Sequence, residues 1–164
     1  MIKLSASEIY GMLVYGARMN AFMPAMVTAA IQQGRIIHAR LGFTNSKIFS
    51  RYLKIDKKIV LITGMPDRID EEFVYELKTY HSAQAKAKNL KAANIQIQVY
   101  GFITGLKRGK IVLYDTGQDK ITDEIETEFN QKDFQKVIKK ALQLKMLTEK
   151  FQKQYKEMQK EETK

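Results

Sequence analysis

The chain contains no cysteine. That excludes disulfides, thiolate zinc sites, iron–sulfur clusters and thiol catalysis together. Histidine is nearly as scarce: His38 and His81 are the only two, so any metal site must lean on carboxylates. Long apolar runs are missing as well. The longest uncharged stretch, 19–34, contains Asn20, Gln32 and Gln33 and falls short of the roughly 20 apolar residues a membrane helix needs. Arg18, Asn20 and Pro24 interrupt the apolar character near the start, and no basic segment precedes a clean apolar run, so no signal peptide is expected. The expectation is an intracellular, cytoplasmic chain (in a host cell if the source is viral) with no membrane partner.

What is present is ordinary globular composition: 164 residues, 45% hydrophobic and 28% charged, enough for one domain with a real core. Lysine and arginine number 28 against 18 acids, a formal charge of +10. Such an excess concentrates polyanions around the protein, and nucleic acid is the commonest polyanion in a cell.

The pattern along the chain predicts helices, three strands, a helix, two strands and a helix. Ser5 and Ser7 are cap residues for a first helix carrying Ile9, Met12, Leu13 and Tyr15. Pro24 suits the first turn of a second helix, from Ala25 to about Leu41, whose alanine, methionine and isoleucine content predicts burial on most faces. Three short β-branched or aromatic runs follow, around Ile48 to Leu53, Ile59 to Ile62 and Phe73 to Lys78. The simplest arrangement of these is antiparallel. Ser82 caps a helix running to about Gly105. A hairpin from Lys110 to Asp115 and Asp119 to Glu128 turns at Thr116-Gly117-Gln118. A long amphipathic helix starts near Gln131, with Phe134, Val137, Ala141, Leu144, Leu147, Phe151, Tyr155 and Met158 three or four apart, and is expected to fray after Tyr155.

The window from Gly64 to Lys78 carries the chemistry. Asp67 lies in a turn after a predicted strand, and Glu76 and Lys78 stand two apart on the next one, so their side chains share a face. Two carboxylates and an ammonium so placed suit a hard divalent cation and a water whose pKa that cation lowers. Taken alone, Glu76 and Lys78 also read as partners on a solvated face.

Three motifs in order, over roughly residues 30 to 105, resemble the PD-(D/E)XK nuclease superfamily, and more closely its RecB-like branch, which includes the CRISPR adaptation nucleases. Gly34-Arg35-Ile36-Ile37-His38 is similar to a Gly-x-x-x-His motif. Gly64-Met65-Pro66-Asp67 with Glu76-Leu77-Lys78 is similar to the Gly-x-x-Asp and Glu-x-Lys pair. Gln96-Ile97-Gln98-Val99-Tyr100 is similar to a Gln-x-x-x-Tyr signature. The resemblance implies an α/β, restriction-endonuclease-like core of order α-β-β-β-α-β, a mixed central sheet flanked by helices, with a long C-terminal helix added. A single nuclease domain over 1–164 would hold a catalytic core at about 30–128 and the basic amphipathic helix at about 130–160.

The same resemblance implies metal-dependent hydrolysis of DNA, with Mg2+ or Mn2+ as cofactor and exonuclease action at a DNA end favoured. Asp67, Glu76, the Leu77 carbonyl and His38 would bind metal. Lys78 would position or deprotonate the nucleophile. Gln96, Tyr100 and Thr79 would support the site or the DNA. Alternatives are an inactive DNA-binding scaffold and a structure-specific endonuclease such as a junction resolvase. Departures are the absent cluster cysteines, so no iron–sulfur cluster is expected, and Ala39 where glutamate often follows the histidine. With no helicase domain, unwinding would fall to a helicase partner, and a homo-oligomer stays open.

The remaining charged residues divide by neighbourhood. Lys86, Lys88 and Lys91, with Lys107, Arg108 and Lys110 at the next turn, are expected to touch phosphates. His81 is read as a loop or helix-start residue. Asp70, Glu71 and Glu72 are read as a solvated hairpin tip, and Asp119, Asp123, Glu124, Glu126 and Glu128 as an exposed strand face. The segment 131–164 holds ten lysines against five acids. Its first half is expected to pack on the core, with DNA or a second copy as other uses of its stripe.

Overall fold

The computed structural model describes residues 1–22 and 28–162; the side chains of 17–22, 28–30, 155, 156 and 159–162 lie outside that description. Pro24 and Ala25, expected at the start of the second helix, fall outside the described residues, as does the Tyr155 side chain. The chain is a mixed α/β fold: β1 (Ile2–Ser5), α1 (Ala6–Phe22), α2 (Thr28–Arg40), β2 (Phe49–Ile55), β3 (Lys58–Gly64), β4 (Arg68–Ile69), β5 (Phe73–Tyr80), α3 (Ala83–Thr104), β6 (Arg108–Asp115), β7 (Lys120–Glu128) and α4 (Gln131–Glu162).

Local chemistry accounts for most of these boundaries. Ser5 and Glu8 form a reciprocal capping box at α1: the Glu8 amide donates to Ser5 Oγ at 3.1 Å and the Ser5 amide to Glu8 Oε2 at 2.8 Å. Helical dihedrals break at Gly16 (φ 82°). Ser82 caps α3 by accepting from the Ala85 amide, and Gly105, left-handed at φ 84°, closes it. In the β6–β7 turn the Asp115 carboxylate accepts from the amides of Gly117 and Gln118 at 2.8 and 3.2 Å.

Two mixed sheets result, β1-β3-β2 and β4-β5-β6-β7. β2 and β3 form the expected antiparallel hairpin, but the third run, β5, does not join them. It pairs in parallel with β6, while β1 runs parallel to β3. The antiparallel triplet and the all-helical first forty residues are therefore corrected. β1 is only four residues long and ends on the residue that caps α1, so the cap masks the alternation of Ile2 and Leu4 with Lys3.

The main core lies between the sheets and α1, α3 and α4. Leu4, Ile9, Val60, Ile62, Val74, Ile97, Ile111 and Phe134 are essentially buried there. Phe134 stacks on Phe102 at 4.5 Å between centroids and sits, with Ile138 and Ala141, in the inward stripe of α4, as expected for that helix's first half. The α4 backbone continues past Tyr155 to Glu162. A second cluster, Ile37, Phe43, Phe73, Tyr75, Leu77, Val112 and Tyr114, covers the opposite face of β5 and β6. β5 is thereby buried on both faces.

The expectation of a largely buried second helix is overturned. Ile31 is 51% and Ile36 68% exposed, and only Ile37 among the described apolar residues of α2 is buried. The helix meets β5 along one edge, where Gly34 leaves a Cβ position 3.8 Å from Thr79 Oγ1. Alanine and isoleucine content signals helix and apolarity without saying how many neighbours a helix will have. Among the described residues no helix is long and apolar enough to cross a membrane.

Candidate active site

β5 delivers Glu76, Leu77 and Lys78; the β3–β4 turn delivers Asp67; α2 delivers His38. All five line one cavity of about 350 Å³, with Ile31, Gly34, Arg35, Thr79 and Asn89. A second cavity of about 350 Å³ shares Asp67 and Glu76 and is lined further by Ser5, Ser7, Ile48, Thr63, Met65, Gln96 and Tyr100. The two carboxylates thus stand between two recesses.

Asp67 is held by its backbone and its side chain. Its amide donates to the Tyr75 carbonyl at 3.2 Å, and its Oδ2 accepts from the Leu77 amide at 2.8 Å. His38 Nδ1 faces Asp67 Oδ1 at 3.4 Å. Burial alone would lower the His38 pKa, but hydrogen bonding and the charge of Asp67 outweigh it and raise the value above that of a free histidine.

Glu76 is 3% exposed, so the solvated-face reading of Glu76 and Lys78 does not hold. Its Oε1 lies 2.5 Å from Lys78 Nζ, and its Oε2 is buried with no hydrogen-bond partner. Burial pushes the carboxyl up to about 7; Lys78 and a hydrogen bond from the Tyr100 hydroxyl pull against this, and the Asp67 charge adds to it. For Lys78, burial disfavours the ammonium, but the charge and hydrogen bond of Glu76 prevail and raise its pKa. The Lys78 ammonium also lies 5.2 Å from the ring centroid of Tyr10.

Gln96 and Tyr100, one turn apart on α3, back the carboxylates. Gln96 Nε2 donates to the Tyr100 hydroxyl at 3.0 Å, while Gln96 Oε1 is buried without a partner. Burial, then the charges of Glu76 and Asp67, push the Tyr100 hydroxyl well above its ordinary pKa. Gly64 makes room for this ring: a Cβ there would lie 3.0 Å from Tyr100 and from Ile103.

A buried carboxylate oxygen without a hydrogen-bond partner in a cavity wall, with a second carboxylate lining the same cavity, is a donor set that suits a hard divalent cation. Glu76 Oε2 and Asp67 fit that role, and Leu77 lines the same cavity. Among the described residues, no three His, Asp or Glu side chains converge as a ready-made cluster. His38 is turned to Asp67 in this arrangement.

The other predicted residues are placed elsewhere. Thr79 lines the first cavity, and its carbonyl accepts from Asn89 Nδ2 at 2.8 Å. Lys86 pairs with Asp123 at 2.6 Å. Arg108 bridges Glu72 and Glu126, and Lys110 lies 3.3 Å from Glu126. Lys107 is exposed. Lys86, Lys107 and Arg108 line neither carboxylate cavity. His81 is exposed in the turn before α3. Asp70 closes the β4–β5 turn, accepting from the Glu72 and Phe73 amides and from the Tyr75 hydroxyl at 2.6 Å. Site residues missed by sequence reasoning are Arg35, Asn89 and Tyr10. Arg35 stands three residues before His38 on one helix face, a readable signal; Asn89 and Tyr10 give none.

No family model matches the sequence, and no curated protein matches it. Solved structures do match in shape. The crystal structure of SSO0001 aligns with a TM-score of 0.66 over 88% of this chain and 76% of that one, at 17% identity. An alkaline exonuclease from Laribacter hongkongensis, LHK-Exo, aligns with a TM-score of 0.54 over 97% of this chain and 94% of that one, at 14% identity. Its complex with dAMP aligns at 0.52, over 95% and 94%, again at 14% identity. The chain therefore has a nuclease-like α/β fold.

Proposed function

We propose that this chain is a divalent-metal-dependent deoxyribonuclease of the PD-(D/E)XK type, on its RecB-like branch and akin to the CRISPR adaptation nucleases, acting as an exonuclease at DNA ends. One observation carries the reading: Glu76, buried with Oε2 unpartnered, shares a cavity with Asp67 and touches Lys78. The fold shared with an alkaline exonuclease supports it.

Asp67, Glu76 and the Leu77 carbonyl would hold Mg2+ or Mn2+, with His38 joining them or steadying Asp67. When bound, such a cation lowers the pKa of a water and offsets charge on the phosphate. Lys78 directs its donors at the same place, orienting the attacking water and balancing negative charge as the phosphorus–oxygen bond breaks. Gln96 and Tyr100 hold the Glu76 side of the cavity. Arg35, at the cavity wall, is placed to take a phosphate oxygen.

A second reading, DNA binding without turnover, is favoured by the lack of three converging ligand side chains among the described residues. End-labelled linear DNA and a closed circle, with Mg2+ or Mn2+ and an EDTA control, separate the two. Loss of linear DNA from its ends, survival of the circle and failure of Glu76→Ala and Lys78→Ala are expected. Cutting of the circle would remove the exonuclease assignment; DNA retention without cleavage under either metal would establish the second reading.

A further inference from the structure

β1, β3 and β2 bury one face against α1 and α3, and no element covers the other among the described residues. Alternation along the strands decides which side chains stand on each face. Leu4, Ile55, Val60 and Ile62 point inward and are buried. The register arranges the outward residues in rows: Ser5, Thr63 and Ser50, then Lys3, Leu61 and Tyr52, then Ile59 beside Lys54. Tyr52 is 63% exposed in the middle of this face, and Ile59 56%.

The charge here has one sign. Lys3 and Lys54 stand on this face with no acidic residue beside them; Arg51 and Lys58, in register with Ile62 and Ile55, stand on the other, where Arg51 donates to the Phe102 carbonyl at 3.0 Å. The β2–β3 turn adds Lys57 and Asp56, and the latter is drawn to Lys139 at 3.7 Å. Among the described residues no ion pair involves Lys3, Lys54 or Lys58. An exposed aromatic ring flanked by unpaired lysines is the arrangement that holds a single strand of nucleic acid, through base stacking and phosphate contacts. A base inside a duplex has both faces stacked and offers Tyr52 none. The first row also leads somewhere: Ser5 and Thr63, with Ile48 (70% exposed), line the second cavity at Asp67 and Glu76.

We propose that the outer face of β1–β3 is a track for single-stranded nucleic acid. Tyr52 stacks on a base, Lys54 on its own strand and Lys3 across the sheet take phosphates, and the strand passes Ser5, Thr63 and Ile48 toward Glu76. Only the destination at Glu76 rests on the nuclease reading; binding by the face stands independently of it.

The test is fluorescence anisotropy with a fluorescein-labelled oligothymidylate and, separately, a blunt duplex of equal length, in EDTA so that no cleavage occurs. Tyr52→Ala is expected to weaken single-strand binding roughly five- to a hundredfold, and Tyr52→Phe to preserve it. The Lys3→Gln/Lys54→Gln pair is expected to weaken binding and to lower the slope of log affinity against log salt by about 1.4, two phosphate contacts' worth. Lys120→Gln, on the other sheet, serves as control and is expected to bind like wild type. If Tyr52→Ala and the lysine pair bind like wild type while the oligonucleotide is cleaved under Mg2+, the track is wrong and the nuclease reading stands. If they bind more weakly but no metal yields cleavage, the track stands and the nuclease reading falls. Equal losses on the blunt duplex would overturn the single-strand assignment.

Discussion

Strands β1 to β3 carry four basic residues and no acidic one, whereas β4 to β7 carry five basic and six acidic residues. The first set leaves Lys3 and Lys54 unpaired on an open face. In the second, Lys78 lies against Glu76, Arg108 and Lys110 against Glu126, and Asp123 against Lys86. Coverage explains the pair at Glu76, whereas the pairs of Glu126 and Asp123 are half-exposed. A sheet with one face in water needs no internal partner for a charge, whereas β5, covered by α3 on one side and by the Phe43–Tyr114 cluster on the other, must pair or neutralise what it buries. The pairing at Glu76 is incomplete, since Oε2 has no partner. The buried sheet thus holds a carboxylate oxygen without a hydrogen-bond partner, and the open sheet holds lysines without an ion pair. The proposed chemistry and the proposed binding fall on opposite sides of that division.

The largest expected effect separates those roles. Glu76→Ala on the buried sheet is expected to reduce metal-dependent cleavage roughly a thousandfold, while affinity for DNA, carried by free lysines elsewhere, is retained; initial rates and anisotropy on one preparation check both halves.

Next comes pH. The Glu76 carboxyl sits at about 7 when folded against 4.5 as its ordinary value, so between these the folded state binds more protons than the unfolded one. Stability is then full below 4.5 and is lost as pH rises through 7. His38, also raised, acts in the same direction above its ordinary value. Urea midpoints in EDTA at pH 4.5 and 8 should show this fall in the wild type and a much smaller one in Glu76→Gln.

Packing gives a smaller effect of the same kind. A Cβ added to Gly109 of β6 would lie 2.2 Å from Ile97 Cγ2, so Gly109→Ala is expected to cost roughly 1–3 kcal/mol. On the open sheet Tyr52→Ala should change stability by no more than ~0.5 kcal/mol. Thermal unfolding of both variants tests whether the two sheets differ in burial as described; equal losses would break the comparison.

What the sequence made legible follows the range of the forces involved. Caps and turns are local, and the Ser82 and Gly105 ends of α3, the Asp115–Lys120 turn and the start of α4 at Gln131 were readable from single residues. The shared face of Glu76 and Lys78 follows from strand periodicity alone. The division into two sheets was not readable, because the β1–β3 and β5–β6 pairings join segments far apart in sequence. Nor was the burial of Glu76, whose side of β5 is covered by Gln96 and Tyr100 of α3. For the same reason Lys86 and Arg108, expected at phosphates, are engaged with Asp123, Glu72 and Glu126 from other elements. Lys3 and Lys54, which have no ion pair among the described residues, stood in runs whose local pattern gave them no distinction.

The central claim, that Glu76 and Asp67 hold a divalent cation, is tested most directly by electron paramagnetic resonance of free Mn2+ as protein is added with a phosphorothioate oligonucleotide that resists cleavage. The account predicts saturable loss of the free-ion signal with wild type and none with Glu76→Gln or Asp67→Asn. Equal binding by all three proteins, or no binding by the wild type, would contradict it.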